Sequence, residues 1–165
     1  MPLNSISDTQ NVSKLIINFI SNIPLFDDLG MPDLKLLADR MSLVELEAGQ
    51  ILFDEWEKGD SVCFVESGTM EVLKKSGGDI YTAIATLGRG RSVGEMSIIE
   101  NFPRSVTLRA LTPAKVVTFS RQDFDIIMGT HPRVGISVLK SLARLLGHNL
   151  RKASSRMADY LMPMG

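Results

Sequence analysis

The chain has 165 residues, 44% of them hydrophobic, and a net charge of −1 at pH 7. That is the length of one domain with enough apolar material for one sizeable core, which excludes a disordered chain. The near-neutral charge gives no electrostatic reason for non-specific nucleic-acid or membrane binding, and no apolar run approaches the roughly 20 residues of a membrane span.

The opening "MPLNSISDTQ" lacks a basic segment followed by an apolar one, so it does not read as a secretory signal. Next, Val12, Leu15, Ile16, Phe19 and Ile20 recur at helical spacing, with Asn11 or Ser13 as the cap. Pro24, Gly30 and Pro32 then break the chain, and Pro32-Asp33 opens a second short helix to about Met41.

From Ser42 to Phe119 the texture changes to short alternating runs such as "SVCFVESG", "DIYTAIATLG" and "AKVVTF", punctuated by glycine. That predicts an all-β sandwich or barrel, with "KKSGGDI" as a hairpin turn. The lone Cys63 lies in one of these runs. It excludes an internal disulfide, fits a reducing cytoplasm, and reads as a small buried side chain rather than a nucleophile. After Ser120 the helical period returns. "RQDFDIIMGTH" is a short helix ending before Pro132, and Pro132 opens a long one. The predicted class is mainly β with flanking helices (α+β): an antiparallel β-roll between N-terminal helices and a long C-terminal helix.

One stretch carries chemistry: "VGEMSIIENFPRSVT", Val93–Thr107. "GEMSII" predicts a short helix starting near Gly94, whose free N–H groups and dipole favour an anion. Gly94 lets the backbone approach a ligand closely. Glu95 is acceptor-only and suits sugar hydroxyls. Arg104 offers a planar fork of donors matching phosphate, Pro103 stiffens its approach, and Ser105 can donate to the same anion. An acidic rim disfavours a highly charged phosphate and suits a singly charged phosphodiester. The blander alternative is an ion pair between Glu95 and Arg104 that closes the loop.

Val93-Gly94-Glu95-Met96-Ser97 and Pro103-Arg104-Ser105-Val106-Thr107 closely resemble the phosphate-binding cassette of cyclic nucleotide-binding domains. These are the modules of catabolite activator proteins, kinase regulatory subunits and cyclic-nucleotide-gated channels. The resemblance runs from about Pro24 to Leu150. It implies a helical extension over 1–22, a cyclic nucleotide-binding domain over 23–156 (β-roll about 42–119, C-terminal helices about 121–156) and a tail over 157–165. By this resemblance Glu95 takes the ribose 2′-hydroxyl and Arg104 the equatorial phosphate oxygen. Ser105 and the N–H groups of Met96 and Ser97 complete the phosphate shell. Val72 and Ile84 wall the base pocket with Val106 beside them, and Asn149 touches the purine from the C-terminal helix. Cyclic AMP is the expected ligand and cyclic GMP the second candidate, because Ser105 follows the arginine as in the bacterial activators. The family usually carries glycine where this chain has Trp56, in "LFDEWEKGD". Tryptophan fits positive φ poorly, so a rebuilt turn with Trp56 as a surface anchor is expected there.

His131 and His148 lie outside the predicted roll, so no metal site of the cupin kind is expected, nor any other cofactor. No Ser-His-Asp arrangement or Walker loop is present, and no enzyme is expected. "LARLLGHNLRK" has the look of a basic membrane-surface helix, but its apolar stripe fits packing on the roll or on a second copy better. Val138, Leu142, Leu145 and Asn149 step by four, three and four, which predicts a homodimer seam along the C-terminal helix, with packing on the roll as the alternative for its first turns. Only "ASSRMADYLMPMG" follows Lys152, too short for a helix-turn-helix, so no nucleic-acid binding by this chain is expected. The two functional readings are a cytoplasmic cyclic-nucleotide sensor signalling through its last helix, and a fragment or relative of a catabolite-activator-type transcription regulator.

Overall fold

A computed structural model describes residues 4–162. Eight strands form two antiparallel four-stranded sheets. They are β1 (Ser42–Leu46), β2 (Ile51–Phe53), β3 (Ser61–Ser67), β4 (Met70–Lys75), β5 (Tyr81–Leu87), β6 (Ser92–Val93), β7 (Thr107–Ala110) and β8 (Ala114–Ser120). One sheet has the order β1-β8-β3-β6 and the other β2-β7-β4-β5. The β4–β5 hairpin turns through Gly77 and Gly78, both at positive φ, as the double glycine predicts.

Helix α1 (Asn4–Ile20) begins several residues before the apolar period does, and α2 spans Met31–Ala38. Helix α3 (Arg121–Thr130) is capped by Ser120, whose hydroxyl accepts from the Asp123 N–H at 3.0 Å. Helix α4 (Pro132–Leu161) starts on the expected proline and continues past the expected end at 156. The last residues of the expected tail lie outside the described residues.

"SVCFVES" reads as an unbroken apolar run because β3 is covered on both faces. Cys63 and Val65 point between the sheets, toward Val116 and Leu108. Val62 and Phe64 point to the helical layer, where Ile16, Phe19, Ile20, Leu37, Val138 and Leu142 pack. Residues assigned by resemblance to an N-terminal extension thus share one cluster with α4. Burial pushes the Cys63 thiol up to about 11, which leaves it inert at neutral pH.

The turn at Trp56 is not rebuilt. Trp56 keeps a left-handed backbone, φ 75°, with its side chain 71% exposed. For a non-glycine residue that conformation costs about 1–2 kcal/mol. Two backbone bonds hold it in place: the Trp56 N–H donates to Arg104 O at 2.9 Å, and the Arg104 N–H donates to Glu57 O at 2.8 Å. The strained turn therefore fixes the backbone of the arginine that the sequence singles out.

Candidate functional site

The Val93–Thr107 segment folds back on itself between β6 and β7, with a single 3-10 turn, Glu95–Ile98, at its start. Gly94 precedes that turn at φ 81°. A Cβ there would collide with Arg104 Nη1 and lie 2.9 Å from Ser61 O. The glycine is required by the packed guanidinium and the left-handed backbone, a closer constraint than ligand approach.

Arg104 is 6% exposed, and its guanidinium lies over the Phe53 ring, 4.0 Å from its centroid. Nη1 donates to Ser61 O at 2.7 Å and Ser97 Oγ at 3.2 Å, and Nη2 to Ser61 Oγ at 2.9 Å. Nε is buried and has no hydrogen-bond partner among the described residues. A guanidinium has five N–H donors. The Nη1–Nη2 end is taken by Ser61, and on the Nε edge no described residue accepts. Leaving a buried donor unmade costs about 1–3 kcal/mol, so an anion on that edge would recover a real deficit.

A cavity of about 460 Å³ is lined in part by Arg104. Gly94, Glu95, Met96, Ser97, Arg104, Ser105 and Val106 all line it, joined by Phe53, Glu100 and Phe102. Glu95 accepts from Ser92 Oγ at 2.6 Å and makes no ion pair with Arg104, so the loop-closing pair is not what holds this segment. The Ser97 N–H donates to Gly94 O at 3.0 Å, inside the turn. Three residues assigned by resemblance lie outside the lining. Val72 is buried in the inter-sheet core, Ile84 is 57% exposed on β5, and Asn149 lies on α4 in a different cleft.

The residues that hold the segment in shape carry no motif. Lys74 Nζ donates to Ser105 O at 2.7 Å and to Glu55 Oε1 at 2.5 Å. Arg121, at the start of α3, donates through Nε to Ser97 O at 2.8 Å and through Nη2 to Gly59 O at 2.5 Å. The 3-10 turn and the first residue of the C-terminal helices are therefore directly joined. Ser61, Phe53, Lys74 and Arg121 meet the cassette across long sequence separations, and local spacing gives no sign of them.

An acidic pair anchors the end of the segment. The Thr107 hydroxyl donates to Asp54 Oδ1 and accepts from the Glu55 N–H at 2.9 Å, and Lys75 Nζ pairs with Asp54 at 3.0 Å. The Thr107 hydrogen bond, with Lys75 adding to it against burial, holds the Asp54 carboxyl at about 2. The Lys74 hydrogen bond lowers Glu55 as well. Because the folded values are depressed, their stabilisation is complete above the unfolded carboxylate range and disappears as pH falls through the folded values. Stability should therefore drop between about pH 4 and pH 2, and less steeply in Asp54→Asn. Urea unfolding at stepped pH measures this; identical acid limbs in the two proteins would refute the anchor.

In class this is a two-sheet β-roll with a cavity at the loop between its sixth and seventh strands. A model of the cyclic nucleotide-binding domain matches residues 43–131, and the chain belongs to that family. It is 34% identical over 111 residues to the cAMP-dependent protein kinase regulatory subunit of Yarrowia lipolytica, covering 67% of this chain and 29% of that protein. The chain thus spans less than a third of that relative. A cyclic nucleotide-binding domain from Methylobacillus flagellatus KT superposes with TM-score 0.77 at 25% identity, over 93% of this chain and 86% of that one. The Thermus thermophilus catabolite activator protein superposes with TM-score 0.71 at 25% identity, over 82% of this chain and 62% of that one.

Proposed function

We propose that this chain is a cyclic-nucleotide sensor that takes 3′,5′-cyclic AMP first and cyclic GMP second, and passes occupancy to its last helix. The observation that carries this is the unfilled Nε edge of Arg104, a residue that lines one cavity with Glu95 and Ser105. A cyclic phosphodiester supplies one negative charge for that edge and a neighbouring ribose hydroxyl for Glu95. Ser105 and the Met96 N–H are assigned to the phosphate, with the Ser97 N–H shared between it and Gly94 O. Val106, Val72 and Ile84 are assigned to the base, which would extend from the cavity along β4 and β5. The role is binding and regulation, without chemistry of its own. The relative from Yarrowia is named for cyclic AMP, which supports that choice. Ligand at about 100 times its dissociation constant should add roughly 2.7 kcal/mol, a melting rise of roughly 5–10 °C. No shift with millimolar cyclic AMP or cyclic GMP would end this reading.

Asn149 lines a different cleft from the cassette cavity, so its assigned contact with the purine calls for α4 to shift. Gly147, just before it, is the weakest helical position in that stretch. Arg121 joins the 3-10 turn to the start of α3, and α3 packs on α4, so a ligand that shifts the turn can bias α4.

The partner reading changes register. Val138 and Leu142 are buried against the body, and Leu145 faces a cleft, so they are not free to form a seam. A second stripe, Leu146, Leu150, Ala153, Met157 and Tyr160, steps by four and three, with Leu150, Met157 and Tyr160 exposed. We assign the homodimer to this stripe. Light scattering should show a dimer that Leu150→Glu with Met157→Glu turns into a monomer. A wild-type monomer at high micromolar concentration, or a dimer surviving both changes, would refute it. The likeness to a catabolite activator favours a second reading, a relative or piece of such a regulator. An intact-mass measurement on natively expressed protein separates the two.

A further inference from the structure

The charged side chains that line the cassette cavity are Glu95, Glu100 and Arg104. The first and last already have roles in the reading above. Glu100 has none, and spacing in the sequence does not mark it. It is exposed, it follows the residue that caps the 3-10 turn, and its backbone N–H donates to Met96 O at 2.9 Å. Its carboxylate has no hydrogen-bond or ion-pair partner among the described residues. We propose that Glu100 sets the charge of the ligand: it admits a phosphodiester monoanion and disfavours the phosphomonoester dianion of the same nucleoside. This rests on the cyclic-nucleotide reading of the cavity.

One guanidinium faces two carboxylates, so the charged lining is net negative before a ligand enters. Glu95 is engaged by the Ser92 hydroxyl at 2.6 Å, whereas Glu100 is free to act through space. Direct bonds to Arg104 decide whether an anion is held at all. Repulsion from Glu100 decides how much charge is tolerated, because its energy is proportional to the charge on the ligand. Whatever factor in affinity Glu100 costs a monoanion, it costs a dianion the square of that factor. A cavity of about 460 Å³ keeps a bound phosphate within about one screening length of its walls, roughly 10 Å at 0.1 M salt. Because Glu100 is exposed, the factor is modest, about two- to threefold per ligand charge.

The distinction matters to a sensor of cyclic AMP. Opening the cyclic ester with water leaves a 5′-monophosphate with the same base and ribose. Its phosphate carries close to two negative charges above a second pKa of about 6. Contacts to the base cannot separate the two molecules, and a charge beside the phosphate can.

The test places three charges at one position. Wild type, Glu100→Gln and Glu100→Lys are titrated by calorimetry with cyclic AMP, and with 5′-AMP by displacement, at about pH 8 in low salt. Each step in charge should tighten cyclic AMP about two- to threefold and 5′-AMP about four- to ninefold. The preference for the cyclic ligand should therefore fall about two- to threefold per step, and these differences should shrink in about 0.5 M salt. Glu47→Gln, which removes the same charge from the turn after β1, should leave the preference unchanged. Glu100 has no side-chain partner to lose, so its variants should melt with the wild type. A preference equal in all three proteins overturns the assignment, as does a shift that high salt does not reduce or that Glu47→Gln reproduces. Failure of 5′-AMP to bind any of the three would show that something other than charge excludes it, and overturns it too. Cyclic AMP failing to bind the wild type overturns the functional reading, and this inference with it.

Discussion

Arg104→Ala should weaken cyclic AMP binding by roughly 10- to 150-fold, the equivalent of about 1.5–3 kcal/mol for charge-assisted bonds to a partly desolvated phosphate. It should also lower the stability of the ligand-free protein. The side chain joins Ser61 and Ser97 and covers Phe53, so its removal leaves those groups without their partner. A loss of about 1–3 kcal/mol is expected from unpaired buried acceptors and lost contact area. Arg104→Lys should rescue only part of the affinity, because a point charge cannot reach Ser61 and a phosphate with one fork. Titration calorimetry, well below the melting point of each variant, is the check. Affinity left at the wild-type level would show that Arg104 serves the fold alone.

Leu142→Ala should cost about 2–5 kcal/mol. Leu142 is 0% exposed, in the cluster that joins α4 to α1, α2 and the outer face of β3 and β8. Leu142→Glu would bury a carboxylate without a partner and should unfold the domain outright. Leu150→Ala, two turns on and 68% exposed, should change monomer stability by no more than about 0.5 kcal/mol. Chemical denaturation of the two alanine variants side by side tests the contrast. Equal effects would mean that α4 does not dock as described.

Much of the site was legible because it is local. Gly94 through Val106 is one unbroken stretch, and a loop that returns on itself brings its own ends into one cavity. The strands were legible for a similar reason, since their alternation and glycine turns repeat over a few residues. The departures came where distant segments meet. Trp56 holds a left-handed turn because its neighbours bond to Arg104 across the roll, and local preference for glycine there is overridden. The seam along Val138 and Leu142 is real as a periodic pattern, but periodicity says only that a face is apolar, not whether the body or a second chain covers it.

By itself the sequence determined the class of the fold, the order of its helices and strands, and the stretch that carries the arginine and the glutamate. Hydrophobic period, turn residues and a contiguous motif are properties of neighbours along the chain. Tertiary structure alone decided that Ser61 occupies one end of the Arg104 fork and leaves the other open, and that Lys74 and Arg121 hold the cassette. It alone also divided α4 between a buried face and an exposed stripe. Each of these depends on which segments share a few ångströms of space, and burial and hydrogen-bond satisfaction are settled only when those segments pack together.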